Sequence, residues 1–292
     1  MRAGKNAMGH LMAFLCVLAW GTSFLASKSL MESFSAVQLM WLRFLVAYGV
    51  MWILHPKWRF CLKEEGMFFL ISLFANTLYF LAENTALQLT QTSNVSILVT
   101  TAPIFTAVLL RLGRDKVRIT AQQAAGFAIA LLGVVLVVLN GVFRLRLSPA
   151  GDLLSLAAAL SWAVYGVIAA PYAQRFNGFF ITRKLMFYGL LSTTLLLILD
   201  PHPFDLGVLR GPEALFSLLY LGVVCSACCY IMWNRAMRDI GVLTANIYIY
   251  VIPVVTLLAG AALMEETVTA LGAAGIAIVI FGMAISNVKK KA

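Results

Sequence analysis

The sequence predicts an all-α membrane protein with ten transmembrane helices arranged as two inverted five-helix repeats. Three observations support this. The composition is too apolar for water, ten apolar runs are each long enough to span a bilayer, and the second half of the chain repeats the first at a nearly constant offset.

Of the 292 residues, 62% are hydrophobic and only 12% are charged. A soluble chain carries about 25% charged residues. With half that share there is too little polar surface to face water, so lipid is the expected solvent for much of the chain. A span needs roughly 20 apolar residues, because the hydrocarbon core is about 30 Å thick and a helix rises about 1.5 Å per residue. The runs do not alternate, which excludes a β-barrel, and backbone groups in lipid are then satisfied only by helices.

Ten spans follow: Met8–Ser27, Val37–Leu54, Gly66–Leu87, Ser93–Leu110, Ala121–Leu139, Leu153–Ala170, Phe179–Leu199, Ala214–Trp233, Leu243–Met264 and Val268–Val288. The run from Met8 is followed by no small-residue cleavage pattern and reads as the first span, not as a signal peptide. His55-Pro56-Lys57-Trp58-Arg59 ends the second span, and Pro201-His202-Pro203 ends the seventh. No stretch between spans is long enough for a soluble domain.

The net charge of +10 reads as the positive-inside bias of a membrane protein and not as nucleic-acid binding, because the cations sit in short loops. With the N-terminus in the cytoplasm, Lys and Arg divide 17 to 4 in favour of that side, and Arg43 lies inside a span. Both termini are therefore expected in the cytoplasm, which requires an even number of spans.

The repeat is read from matched residues. At an offset of 150, Asn84 matches Asn234, Pro103 matches Pro253, Thr106 matches Thr256 and Asp115 matches Glu265. At 149, Gly126 matches Gly275 and Gly133 matches Gly282; at 142, Leu18-Ala19-Trp20-Gly21 resembles Leu160-Ser161-Trp162-Ala163. The halves are 1–146 and 147–292. Five spans per half is an odd number, so the second half enters the membrane upside down. Inverted repeats are a transporter signature, with the substrate site near the midplane between them.

The residues also resemble a known family, the drug/metabolite transporter superfamily in its ten-helix EamA-type branch. The resemblance rests on Trp20-Gly21-Thr22-Ser23-Phe24 with Lys28, on Leu42-Arg43-Phe44, and on the run from Ala86-Leu87 through Thr92-Ser93 to Pro103. The second half repeats it from Ala236-Met237 through Thr244-Ala245-Asn246 to Pro253 and Met264-Glu265-Glu266. Gly113-Arg114-Asp115 departs from the family's Gly-Glu, and Ala170 stands where Lys28 would repeat. The resemblance implies export of small metabolites, often amino acids, across the inner membrane of a bacterium.

Candidate cavity residues are the polar and aromatic side chains inside the spans, because a buried amide or hydroxyl needs a partner or a wet face. In the first half they are Trp20, Ser23, Asn76, Tyr79, Glu83, Asn84, Ser96 and Thr100. In the second they are Trp162, Tyr165, Tyr230, Asn234, Asn246 and Tyr250. Pro103 and Pro253 lie inside spans and are candidate hinges, since a proline frees a backbone carbonyl. Glu83 is the one carboxylate deep in an apolar run. Arg43 is at comparable depth and Lys28 at the outer end of the first span, so the three form either a static ion pair or a proton- or substrate-coupled group. Gly126 and Gly133, repeated as Gly275 and Gly282, mark close-packing or dimer-contact faces.

No cofactor or metal is expected. The five cysteines (Cys16, Cys61, Cys225, Cys228 and Cys229) have no disulfide spacing, His10, His55 and His202 have no ligand spacing, and there is no phosphate-binding glycine-lysine loop. The expected partners are a small-molecule substrate and the bilayer, with a proton as a candidate coupling ion, a homodimer as a candidate assembly, and no nucleic acid. The competing readings are a non-transporting regulatory or chaperone subunit and a membrane-embedded transferase. Asp200-Pro201-His202-Pro203-Phe204-Asp205 is the sole acidic and histidine cluster for the transferase, and it reads as a turn.

Overall fold

The computed structural model describes residues 2–56, 60–90, 92–113, 118–139, 148–263 and 268–287. Lys57, Arg59, Arg114, Asp115, Lys116, Arg144, Arg146, Met264, Glu265, Glu266, Lys289, Lys290 and Lys291, several of which enter the charge count and the repeat, lie outside the described residues. The helices are α1 (Arg2–Met31) and α2 (Ala36–Leu54), α3 (Leu62–Leu89) and α4 (Val95–Leu112), and α5 (Ala121–Leu139). In the second half they are α6 (Pro149–Arg175) and α7 (Gly178–Ile198), α8 (Pro212–Ile240) and α9 (Val242–Ala262), and α10 (Ala270–Asn287). Nine are long and apolar enough among the described residues to cross a membrane, and Ala270–Ser286 is a shorter apolar tenth. The chain is a multi-pass, all-α membrane protein.

Local chemistry sets the boundaries. Ser35 opens α2 with a capping box that includes Gln38, and the Asn177 side chain accepts from Phe180 N at the start of α7. Pro149 and Pro212 stand in the first turns of α6 and α8, where a missing N–H costs nothing. Gly241, at φ +86°, makes the reversal between α8 and α9 that a side chain would oppose. Several helices run past the predicted spans, α1 at both ends and α6 to Arg175, because helical turns continue beyond the apolar core into the polar interface.

The two halves share their irregularities. A π-helical stretch, Leu73–Leu78, interrupts α3, and another, Tyr220–Cys228, interrupts α8. Both end at the same repeat position, since 78 and 228 differ by the offset of 150. In α4 the helix breaks at Thr100-Thr101, and in α9 it tightens to a 3-10 turn at Tyr248–Val251, again at matching positions. Pro103 and Pro253 each follow this break within the first turn of the resumed helix, and both are buried.

The fifth helices of the halves cross on their glycines. A Cβ on Gly133 would lie 2.6 Å from Val279 N and 2.8 Å from Gly275 O, and one on Gly126 would lie 2.8 Å from Gly282 O. Gly126 therefore faces Gly282 and Gly133 faces Gly275, so α5 and α10 run antiparallel. Exchanging repeat equivalents maps each contact onto the other, as a two-fold axis between the halves requires. These glycine faces are thus occupied within the chain. Gly133→Val is expected to destabilise by about 2 kcal/mol or more, because the backbone it meets cannot give way. A melting curve of the purified protein checks this.

On the loop between α7 and α8, Ser35 Oγ donates a short hydrogen bond to Asp200 Oδ2, and His202 Nδ1 lies 2.6 Å from Asp200 Oδ1. Partial burial opposes ionisation of Asp200, but these hydrogen bonds outweigh it and hold the carboxyl below the usual carboxylate range. Its contribution to stability is therefore complete above the unfolded value of about 3.9 and is lost as pH falls through the lower folded value. Asp200→Asn is expected to melt earlier than the parent at pH 7, and the gap should narrow as pH falls below the usual carboxylate range and close below the lowered folded value.

Candidate functional site

A cavity lies between the halves, in the part of the bundle nearest the α1–α2 and α3–α4 loops, the face opposite the N-terminus. It encloses about 770 Å³ including its open mouth, of which about 60 Å³ admits the centre of a water molecule. That is room for several waters. Successive turns of α1 supply Trp20, Ser23, Phe24 and Ser27, and α3 supplies Tyr79, Phe80, Glu83, Asn84 and Leu87. Arg43 comes from α2, and Ser96, Val99, Thr100 and Ala102 come from α4. The second half closes the floor with Trp162, Tyr230, Ile249 and Ile252.

The floor is aromatic. Trp20 and Trp162, equivalent residues of the two repeats, meet edge to face with ring centroids 5.2 Å apart at 88°. Each indole is fixed by a hydrogen bond. Trp20 Nε1 donates to Cys225 O at 3.0 Å, and Trp162 Nε1 donates to Asn246 Oδ1 at 3.1 Å. Tyr79 packs on Trp162 at 5.3 Å, and Tyr230 OH donates to Ala75 O within the α3 π turn at 2.9 Å.

Arg43 and Glu83 are the charges in this wall. Arg43 Nε donates to Ser226 Oγ at 2.5 Å, and its guanidinium lies 4.3 Å from the Phe80 ring centroid. Ser226 is itself turned by the α8 π stretch, where its hydroxyl donates to Leu221 O. Glu83 Oε1 accepts from Tyr79 OH at 2.7 Å. No salt bridge within 4.0 Å joins Arg43 to Glu83 among the described residues, and Lys28 is exposed and outside the cavity. Of the two alternatives read from the sequence, a direct Arg43–Glu83 salt bridge is therefore not seen among the described residues: Ser226 and Phe80 engage the guanidinium, and Tyr79 engages the carboxylate. Among the described residues, the one hydrogen bond of the Arg43 side chain is from Nε and the one hydrogen bond of the Glu83 side chain is to Oε1.

The remaining candidates lie behind the wall. Asn76 donates to Leu185 O at 2.8 Å and ties α3 to α7. Tyr165 OH donates to Asn234 Oδ1 at 3.2 Å, and Asn246 Nδ2 donates to Thr106 Oγ1 at 2.7 Å. Tyr250 is fully buried. Pro103 and Pro253 do not reach the cavity. Sequence reasoning missed Ser27 and the apolar lining residues Phe24, Phe80, Leu87, Val99, Ala102, Ile249 and Ile252, although Phe24, Ser27 and Leu87 each lie one helical turn from a named candidate on the same face.

A second charged site was hidden in the sequence. Arg183 and Lys184 enter the cytoplasmic-side charge count although they fall within the predicted span Phe179–Leu199, and both lie fully buried in α7. Lys184 Nζ contacts Glu65 Oε1 at 2.6 Å, Tyr188 OH donates to Glu65 Oε2, and Arg183 Nη1 donates to His55 O. This cluster sits at the end of the bundle opposite the cavity.

The sequence model of the EamA-like transporter family matches residues 7–139 and again 149–288. The chain belongs to the EamA-like transporter family. The two matches fall on the two five-helix sets, so this member is a membrane transporter, not an enzyme, with a small-molecule substrate. An uncharacterized transporter of Archaeoglobus fulgidus is 28% identical over 98% of this chain and 99% of its own. A probable amino-acid metabolite efflux pump of Salmonella typhimurium is 25% identical over 94% and 93% of the two chains. A probable terminal-alkyne amino-acid exporter of Streptantibioticus cattleyicolor is 28% identical over 66% and 63%. A crystal structure 18% identical in sequence matches with a TM-score of 0.79 over 96% of each chain, which shows the shared fold.

Proposed function

We propose that this transporter exports amino acids or related metabolites across the cytoplasmic membrane by alternating access, with both termini in the cytoplasm. The observation that supports this best is the pairing of unfilled charges in one cavity. Arg43 offers free donors for a carboxylate, Glu83 offers a free oxygen for an ammonium, and between them lies an aromatic floor suited to an apolar side chain. A zwitterion satisfies both, and leaving either buried charge unmatched costs affinity. The names of the relatives from Salmonella typhimurium and Streptantibioticus cattleyicolor agree with this substrate class. The halves 1–146 and 147–292 move against each other about the helix breaks before Pro103 and Pro253. Glu83 is the candidate proton carrier, because an ionised carboxylate is costly when the cavity closes around it.

Thermal stabilisation by ligands tests the substrate class. Free apolar amino acids should raise the melting temperature, and their N-acetyl and methyl-ester derivatives should not. Equal stabilisation by blocked and free compounds would contradict the two-charge reading. Reporter fusions test the topology. A reporter active only outside the cytoplasm should be silent at Ala292 and active in the 201–204 loop.

A further inference from the structure

Ser226 does not line the cavity, yet it holds a residue that does. It is fully buried in α8, and Arg43 Nε donates to its hydroxyl at 2.5 Å. Chemistry sets the direction of both bonds at this oxygen. A guanidinium can only donate, and the Ser226 hydrogen goes to Leu221 O at 2.9 Å, so the serine meets Arg43 with a lone pair. That orientation depends on the π stretch Tyr220–Cys228. A serine in a regular α-helix bonds back four residues, whereas Leu221 lies five back, the spacing of a π turn. Two neighbours hold this turn in place. Trp20 Nε1 donates to Cys225 O, and Gly222 lets α2 lie against α8 where a Cβ would come 2.6 Å from Val46 Cβ.

The matching positions of the other half do something different. The offset of 150 carries Ser226 to Asn76 and Gly222 to Ser72, and the offset of 142 carries Leu185 to Arg43. There, Asn76 Nδ2 and Ser72 Oγ both donate to Leu185 O, at 2.8 and 2.7 Å. That join uses a main-chain carbonyl and is indifferent to the side chain at 185. The hydroxyl of Ser226 instead addresses a side chain, and a charged one in the cavity wall. We propose that Ser226 is a positioning residue for cargo recognition: from behind the wall it sets the plane of the Arg43 guanidinium, and with it the preference for a free carboxylate. This rests on the reading of Arg43 as the carboxylate partner. Phe80 lies 4.3 Å from the guanidinium and Ser226 takes its Nε edge. The terminal nitrogens are then presented as a fork, the geometry that pairs with both oxygens of a carboxylate. Because the hydroxyl is uncharged, it orients the guanidinium without neutralising it, as a carboxylate at 226 would.

The test compares Ser226→Ala and Ser226→Thr with the parent and with Arg43→Gln, each full-length and reconstituted in liposomes. Leucine, valine and phenylalanine, their methyl esters and their N-acetyl derivatives compete for counterflow of whichever free amino acid the parent carries fastest. Ser226→Ala is expected to raise the KM for that amino acid about 10-fold at unchanged Vmax, the lower end for loss of one hydrogen bond to a charged group. Competition by the esters should stay as it is, so the advantage of the free acid over its ester falls about 10-fold. The advantage over the N-acetyl derivative should not change, because that compound keeps the carboxylate. Ser226→Thr keeps the hydroxyl and should keep the discrimination against esters. Arg43→Gln that loses this discrimination while Ser226→Ala retains it in full would overturn the role of Ser226 and leave the cargo reading intact. So would Ser226→Ala that weakens free acids and esters alike, which is the mark of a structural serine. A parent that does not discriminate, or Arg43→Gln that still does, would remove the carboxylate reading itself, and the role of Ser226 with it.

Discussion

Glu83→Gln is expected to cut transport by roughly 10- to 100-fold while leaving the fold intact. The size follows from losing one charge-assisted hydrogen bond to cargo, about 1.5–3 kcal/mol. The intact fold follows from the geometry. Among the described residues Glu83 accepts one hydrogen bond, from Tyr79, which a glutamine oxygen also accepts, and no cation lies within salt-bridge distance, 4.0 Å, of it. The stability change should therefore stay below about 1 kcal/mol. The readouts are the melting temperature and the pH profile of flux in liposomes. If Glu83 carries the coupling proton, the residual flux loses its pH dependence. A large fall in melting temperature would instead restore the static ion pair, and unchanged flux at every pH would remove Glu83 from the transport path.

Lys184→Ala is expected to have the largest effect on stability, about 3 kcal/mol. Lys184 is fully buried against Glu65, and removing one partner of a buried pair leaves the other charge uncompensated. The lower end of the usual 3–5 kcal/mol range applies, because Glu65 keeps Tyr188 OH and Cys61 N as donors. The double variant Lys184→Met, Glu65→Leu should recover much of the loss, because no charge remains to be stranded. Melting curves of the single and double variants check both statements. A double variant no better than the single would show that the pair stabilises by more than mutual neutralisation.

The fold was legible because each helix is an apolar run bounded by a proline, glycine or basic turn, and because Pro103/Pro253 and Gly126/Gly275 keep step across the halves. The helix ends were less legible, since α1 and α6 continue through polar residues that hydropathy counts as loop. Lys184 shows a related limit: it falls within the predicted span Phe179–Leu199 but enters the charge count as a cytoplasmic-side cation, and only the fold places Glu65 of α3 beside it. Depth along a helix was readable, so Arg43 and Glu83 were set at one level. The partners at that level were not, so neither Ser226 nor Phe80 could be assigned to Arg43. Tyr165, Asn234, Asn246 and Tyr250 have the composition of cavity residues but lie behind the wall, because composition does not distinguish a polar side chain that ties two helices together from one that faces a cavity.

The most direct test of the account is counterflow in liposomes. The purified protein is reconstituted into vesicles loaded with one unlabelled apolar amino acid, and the labelled form is added outside. The account predicts transient, saturable accumulation of label that N-acetylated or esterified analogues do not compete for and that Arg43→Gln greatly reduces. Folded protein that exchanges no amino acid of the panel would contradict it and favour a non-transporting subunit.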